Sequence, residues 1–191
     1  MPLPIPASRD AIDKIHSERK PIALERARQA PFHKERLKGI DPARLDDPAE
    51  WAKIPLLDKD ELRAIPPEDF HTEFCVGKRE DIAEFWRSGG STGVPLFYPR
   101  SFEDMKYMDL SFSRSLLAAG LGAGEVAHVA FPLGIHPIGQ VFARVAQAAG
   151  MAVAWAGAGG STPSAMQVAV IDMLKPTVLL TMSSYAIHLA N

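Results

Sequence analysis

The sequence predicts an α/β protein, an N-terminal helical segment followed by a parallel βαβαβα sheet. Three observations carry that expectation. Strand-length apolar runs at 126–131, 151–156 and 177–182 alternate with longer helical stretches, so the strands are joined by crossovers and run parallel. Charge sits at the front: from Ser115 to Asn191 the only Asp, Glu, Lys or Arg residues are Glu125, Arg144, Asp172 and Lys175. Hydrophobic residues make up 47% of 191 positions, enough to fill a core.

Residues 9–38 read as helix interrupted at Pro21 and Pro31, each of which removes a donor and ends or kinks the helix it falls in. The section 40–73 is loop-rich with short helices. In "IPLLDKDELRAIP" Asp58 caps a helix with Glu61 as its capping-box partner, and Pro66-Pro67 ends it. "EDIAEFWRS", read as helix, leads into the glycine-rich "SGGSTGVP", and "LFYPRS" after it is a strand. Ser101 and Asp104 open the next helix, in which Met105, Met108, Phe112, Leu116 and Ala119 recur at helical spacing before Gly120 stops it. That stripe is core packing.

The last third then alternates. "VAHVAF" (126–131) is a strand, 137–149 a helix closing at Gly150, and "MAVAWA" (151–156) a strand. A helix follows from Thr162-Pro163, with proline at the favoured first position. "TVLLTM" (177–182) is the third strand, and Ser183 or Ser184 caps the last helix. The organisation is a helical, loop-rich region over 1–80, and a glycine-rich loop with an α/β sheet part over 81–191. A face this poor in charge is expected to be covered by something outside these residues.

Several function classes are disfavoured. A formal charge of −2 without a basic run does not suit a nucleic-acid binder. The apolar stretch between Arg144 and Asp172 is broken by "GAGGSTPS", too early to cross a bilayer. "MPLPIPASRD" lacks a basic region followed by an apolar run, so no secretion signal is read. The single cysteine, Cys75, makes no internal disulfide and lies between Phe74 and Val76, which fits a packed thiol and a cytoplasmic protein. His16, His33, His71, His128, His136 and His188 lack metal-ligand spacing, and no metal site is expected; His16 and His33 are read as solvated.

Glycines allow close backbone approach, so successive N–H groups of "SGGSTG" can point at anionic oxygens, with Ser88, Ser91 and Thr92 adding hydroxyls. No Lys-Ser or Lys-Thr follows the last glycine, as a Walker loop requires, and no helix opens directly after it, as a dinucleotide fingerprint requires. A serine-hydrolase elbow is disfavoured because the loop is expected to follow a helix rather than a strand. Composition leaves a structural turn and a phosphate cradle both open.

Four stretches together resemble one family. "WRSGGSTGVPLFY" resembles the hydroxyl- and glycine-rich loop of the adenylate-forming (acyl-CoA synthetase) superfamily. "IPLLDKDELR", preceded by "ALERARQAPFHKERL", is similar to the N-terminal region of its phenylacetate–CoA ligase branch. "GLGAGEVAHVAFPLGIHPIGQVFARVAQAAG" resembles the segment lining the aryl pocket there, and "LKPTVLLTMSSYAIHLA" the strand and helix closing the first sheet. The match runs in unbroken order from about residue 20 to the end.

The resemblance implies that the chain is part of the large N-terminal domain of an adenylate-forming enzyme. It implies an AMP-forming acid–thiol ligase: a carboxylate attacks the α-phosphate of Mg·ATP, pyrophosphate leaves, and coenzyme A thiol displaces AMP. Ser88, Gly89, Gly90, Ser91, Thr92 and Gly93 would then grip the β,γ-phosphates. Phe131, Gly134, His136, Pro137 and Ile138 would line an aryl-substrate pocket, with His136 facing the ring of an aromatic carboxylate or, alternatively, only capping the following helix. Val94 departs from the family, which often carries lysine there. The family's adenine and ribose motifs, magnesium-binding glutamate and catalytic lysine fall beyond residue 191, so the catalytic residues are expected there and the isolated chain is expected inactive. Two other readings stay open: a non-catalytic regulatory or interaction module that keeps the fold, and an adenylating enzyme with another acceptor. A homodimer is a further implication of the family.

Overall fold

The computed structural model describes residues 5–88 and 95–191. Their contacts divide the chain into two compact units, Met1–Ile82 and Ala83–Asn191.

The first unit is helical. Helix α1 (Arg9–Ala27) is capped by the Ser8 hydroxyl, which accepts from the Ala11 N–H. It runs on through Pro21, against the expectation of a break. The lost hydrogen bond is offset on both sides of the proline: Leu24 is buried against Leu37, Ile40 and Leu45, and Lys20 Nζ reaches Asp46 at 2.9 Å. Pro31 opens α2 (Pro31–Arg36) as its first residue, where its missing N–H has no helical partner to lose. Short helices α3 (Pro48–Trp51), α4 (Lys59–Arg63) and α5 (Phe70–Phe74) follow. The Asp58–Glu61 capping box of α4 is present in both directions. His33 is not solvated as expected: its ring packs 5.1 Å from both Phe32 and Phe74, and burial followed by the charge of Arg36 lowers its pKa.

Among the described residues of this unit the buried charge is Glu50, 1% exposed. Lys53 Nζ at 2.7 Å and the Asp41 N–H at 2.8 Å hold its carboxyl below the usual carboxylate range, in that order of weight. Glu61 is lowered in the same direction by the Asp58 N–H and then Arg36. A depressed native pKa stabilises fully above the unfolded-state value and loses that contribution as pH falls through the native one. The melting temperature is therefore expected to be flat from pH 7 to about 5 and to drop below about pH 4. Glu50→Gln should lower it at pH 7 and shallow the acid limb; an unchanged acid slope would remove Glu50 from the explanation.

The second unit carries two sheets. Strands β1 (Ile82–Arg87) and β2 (Phe97–Ser101) form a pair joined through the glycine-rich segment. The segment read as a helix is thus a strand, because Ile82, Phe85 and Trp86 favour a half-buried extended surface over a short helix. Helix α6 (Phe102–Ala118) starts on the Ser101–Asp104 capping box and stops at Gly120, whose φ is +71°. Along its stripe Leu116 is buried, Met105, Met108 and Phe112 half-buried and Ala119 exposed.

Strands β3 (Val126–Val129), β4 (Ala152–Trp155) and β5 (Val178–Leu180) form a parallel sheet of order β4-β3-β5. Helices α7 (Ile138–Ala148), α8 (Ser164–Leu174) and α9 (Ser183–Ala190) alternate with them. Pro163 is the residue before α8 rather than its first, and neither Ser183 nor Ser184 caps α9, which begins at Ser183. On one face Ala127 packs with Leu116 of α6 and with Val145 and Ala146 of α7. His128, the next residue of β3, faces the other way and meets Gln167 of α8 at 3.1 Å. Beyond that contact α8 and α9 leave Met166, Met173, Leu174 and Ile187 exposed, Met173 at 77%. The charge-poor face is open within these residues. Among the described residues no helix is long and apolar enough to cross a membrane.

Candidate functional site

Open α/β sheets place ligands at the carboxyl ends of their strands. Here the loop leaving β3, the central strand, occupies that edge. The Ala130 N–H donates to the Leu180 carbonyl at 2.9 Å, holding the start of the loop to β5. Phe131 is buried rather than open, stacked on Phe142 at 5.4 Å and 14° and packed with Val129 and Ala143. Ile138 packs half-buried against the same cluster. Gly134, Ile135 and His136 are exposed, and Pro137 is half-buried as the N-cap of α7. Helix α7 has no side-chain cap, so the alternative of His136 as a capping residue does not hold.

The loop is fixed from three sides. Gln140 Nε2 donates to the Gly134 carbonyl. Leu133 is wedged between two glycines: a β-carbon on Gly139 would lie 2.8 Å from its Cδ2, and one on Gly157 3.4 Å from its Cδ1. The third tie is the Arg87 N–H, donating to the Ile135 carbonyl at 3.2 Å.

That last bond brings the two sequence signals together, because Arg87 is the root of the glycine-rich segment. Ser88 closes the base of the segment: its N–H donates to the Leu96 carbonyl at 2.8 Å, and its Oγ accepts from the Leu96 N–H at 3.0 Å. Gly89, Gly90, Ser91, Thr92 and Gly93, with Val94, lie outside the described residues. A strand precedes this segment, contrary to the reason given for setting aside a hydrolase elbow. The elbow context still fails, since strand β2 follows instead of a helix.

Glu84 ties β1 to α7. Burial pushes its carboxyl up, but the Trp86 indole at 2.8 Å and Arg144 Nη1 at 2.6 Å outweigh that and hold it below the usual range. Behind the sheet edge a buried network fixes the loop after β4. Gln167, 0% exposed, takes the His128 ring on Oε1 and donates from Nε2 to the carbonyls of Gly157 and Thr162, both at 2.9 Å. The Tyr185 hydroxyl completes it, 3.1 Å from Gln167 Nε2 and from the Ser164 hydroxyl.

Arg87, Leu133, Gly139, Gly157 and Gln167 were not singled out from the sequence. Only Gly139 left a signal there, as a glycine just inside a helix where alanine is the better helix former. Among the described residues no group of three or more His, Cys, Asp or Glu side chains is placed to hold a metal ion.

No family model matches the sequence. The phenylacetate-coenzyme A ligase of Thermus thermophilus is 32% identical over 165 residues, which cover 85% of this chain and 36% of that protein. The phenylacetate-coenzyme A ligase of Aromatoleum evansii is 27% identical over 182 residues, 94% of this chain and 40% of that protein. The chain thus spans about 40% of the length of the curated relatives it matches. Among solved structures, an open conformation of 2-hydroxyisobutyryl-CoA ligase in complex with 2-HIB-AMP and CoA superposes with a TM-score of 0.84 at 22% identity. It covers 97% of this chain and 44% of its own. At that identity the likeness carries the fold.

Proposed function

We infer the activity from a chain that belongs to the adenylate-forming superfamily, in its phenylacetate–CoA ligase branch, and matches the N-terminal portion of those enzymes. The function proposed is the N-terminal part of an ATP-dependent aryl-CoA ligase. A carboxylate oxygen attacks the α-phosphorus of ATP, pyrophosphate leaves, and the thiol of coenzyme A displaces AMP from the acyl-adenylate. The observation that carries this reading is the Arg87 N–H to Ile135 carbonyl bond, which joins the root of the glycine-rich segment to the loop leaving the central strand. A phosphate-holding segment and an acid-holding loop must meet for a carboxylate to reach an α-phosphate.

In this reading the N–H groups and hydroxyls of 88–93 hold phosphate oxygens. Gly134, His136, Pro137 and Ile138 face the acid, and Phe131 supports them from the core. The described residues offer Mg2+ no ligand set, so no step is routed through it here. A cytoplasmic location and a homodimer belong to the same reading. The 191 residues by themselves are expected to form no acyl-adenylate.

The test is carboxylate-dependent ATP–pyrophosphate exchange over a panel of aryl and aliphatic acids, in a ligase polypeptide carrying these residues and in its His136→Phe form. The exposed imidazole is free of a capping role and can bond a ring hydroxyl. A hydrogen bond from an exposed imidazole to a ring hydroxyl favours the hydroxylated acid by about fivefold to tenfold, the usual net effect of one neutral bond. His136→Phe should therefore shift kcat/KM from hydroxylated toward unsubstituted aryl acids with the KM for ATP little changed. Preference for long-chain aliphatic acids would end the aromatic assignment. Failure of every acid on the panel to support exchange, in a folded protein, would favour the non-catalytic module.

A further inference from the structure

We propose that the first unit holds a second small-molecule site, a cavity that binds an apolar monocarboxylate with its head at Arg19. The cavity measures about 470 Å³, within the range of roughly 300–1,000 Å³ typical of small-molecule sites. One face of α1 forms a wall, with His16, Arg19, Lys20, Ala23, Leu24 and Ala27 at helical spacing. Leu37, Leu45 and Ile54 close the inside, and Trp51 and Leu57, both about half exposed, stand at the mouth.

The lining is asymmetric in charge. Basic side chains line it, and no carboxylate does. Most of that charge is already committed: Lys20 to Asp46 at 2.9 Å, and Arg36 to Glu61. His33 is shifted toward its neutral form by burial. Of the lysines and arginines in the lining Arg19 is left, exposed at the rim and without an ion pair among the described residues. One free guanidinium over an apolar hollow matches a ligand with one anionic head and an apolar body, and its planar fork fits a carboxylate in two parallel hydrogen bonds. A phosphate dianion would leave charge unmatched, and an uncharged lipid would leave Arg19 without a role.

The probe is decanoate, kept below its micelle concentration, and the reporter is the Trp51 indole N–H in a nitrogen–proton correlation spectrum of the unmodified chain. Trp51→Phe assigns that signal, and Trp155, exposed in the other unit, serves as the internal control. The expected result is a saturable shift of the Trp51 signal with the Trp155 signal still. Arg19→Gln should weaken binding about tenfold, the usual order for losing one charge-assisted pair. Ala23→Trp, a substitution at an exposed rim position, should abolish binding with the melting temperature kept. Any one of four results overturns the proposal: equal binding of decanol, no loss in Arg19→Gln, shifts that never saturate and move both tryptophans alike, or no shift at all. A concentration-dependent dimer that Ala23→Trp dissolves would overturn it too, by giving the cavity to a second copy of the chain.

Discussion

Gly139→Ala should lower the melting temperature by about 6–12 °C, corresponding to about 3 kcal/mol at the upper end of overpacking costs. Helix propensity predicts the reverse: inside a helix alanine is better than glycine by about 1 kcal/mol. The packing decides the sign. A β-carbon on Gly139 would lie 2.8 Å from Leu133 Cδ2 and 3.0 Å from the Pro132 carbonyl carbon, and closer still to the Pro132 carbonyl oxygen. Leucine can rotate, but a carbonyl held in a loop that is tied at Ala130, Gly134 and Ile135 has little room to retreat. Relief therefore requires the loop after β3 to move as a whole. The Arg87 N–H, which bonds that loop, should exchange with solvent faster in the variant. Gly134→Ala is the control in the same loop, because its β-carbon meets nothing within 4 Å and its φ is not positive. A neutral Gly139→Ala, or equal losses in both variants, would mean that the loop is not seated on that glycine.

What the sequence made legible was local and periodic. The Asp58–Glu61 and Ser101–Asp104 boxes, the stop at Gly120 and the three parallel strands each depend on residues a few positions apart or on a simple alternation, and all are present. What stayed hidden depends on distant partners. Pro21 is tolerated because Leu24 and Lys20 are anchored by residues well outside the helix, from Leu37 to Asp46. His33 packs on Phe74, 41 positions later by their numbers, and no local pattern announces that. β1 was misread because six residues, four half-buried and two exposed, carry too short a period to separate helix from strand. At the candidate site the two loops were visible as glycine-rich or strand-following segments. The Arg87–Ile135 bond that joins them, and the His128–Gln167 pair that fixes the neighbouring loop, were not, since main-chain pairing and buried polar partners have no sequence period.

Thr92→Ala, in a ligase polypeptide carrying these residues, is expected to slow acyl-adenylate formation by about 10²–10³, the effect of removing one preorganised donor to developing charge, or about 2.7–4 kcal/mol. The residue lies outside the described part of the segment, whose base is fixed. Ser88 and Leu96 exchange two hydrogen bonds, and Arg87 is bonded to the loop after β3, which sets where the segment begins and ends. Val94 stands where the family often has lysine, so no cation at that position shares the load. Within the segment, phosphate charge would fall on neutral N–H and hydroxyl donors, and each of them then matters more. Losing one should reduce kcat for adenylation while carboxylate affinity stays, because the missing interaction strengthens only as charge develops. Gly93→Ala should act in the same direction. Melting temperatures must accompany both rates, since a strained glycine position would lower stability as well. A plain turn gives the opposite pattern, with Gly93→Ala less stable yet as fast per folded molecule as the parent and Thr92→Ala unchanged. That outcome would leave the loop after β3 without a phosphate partner, and the ligase reading would then rest on family membership alone.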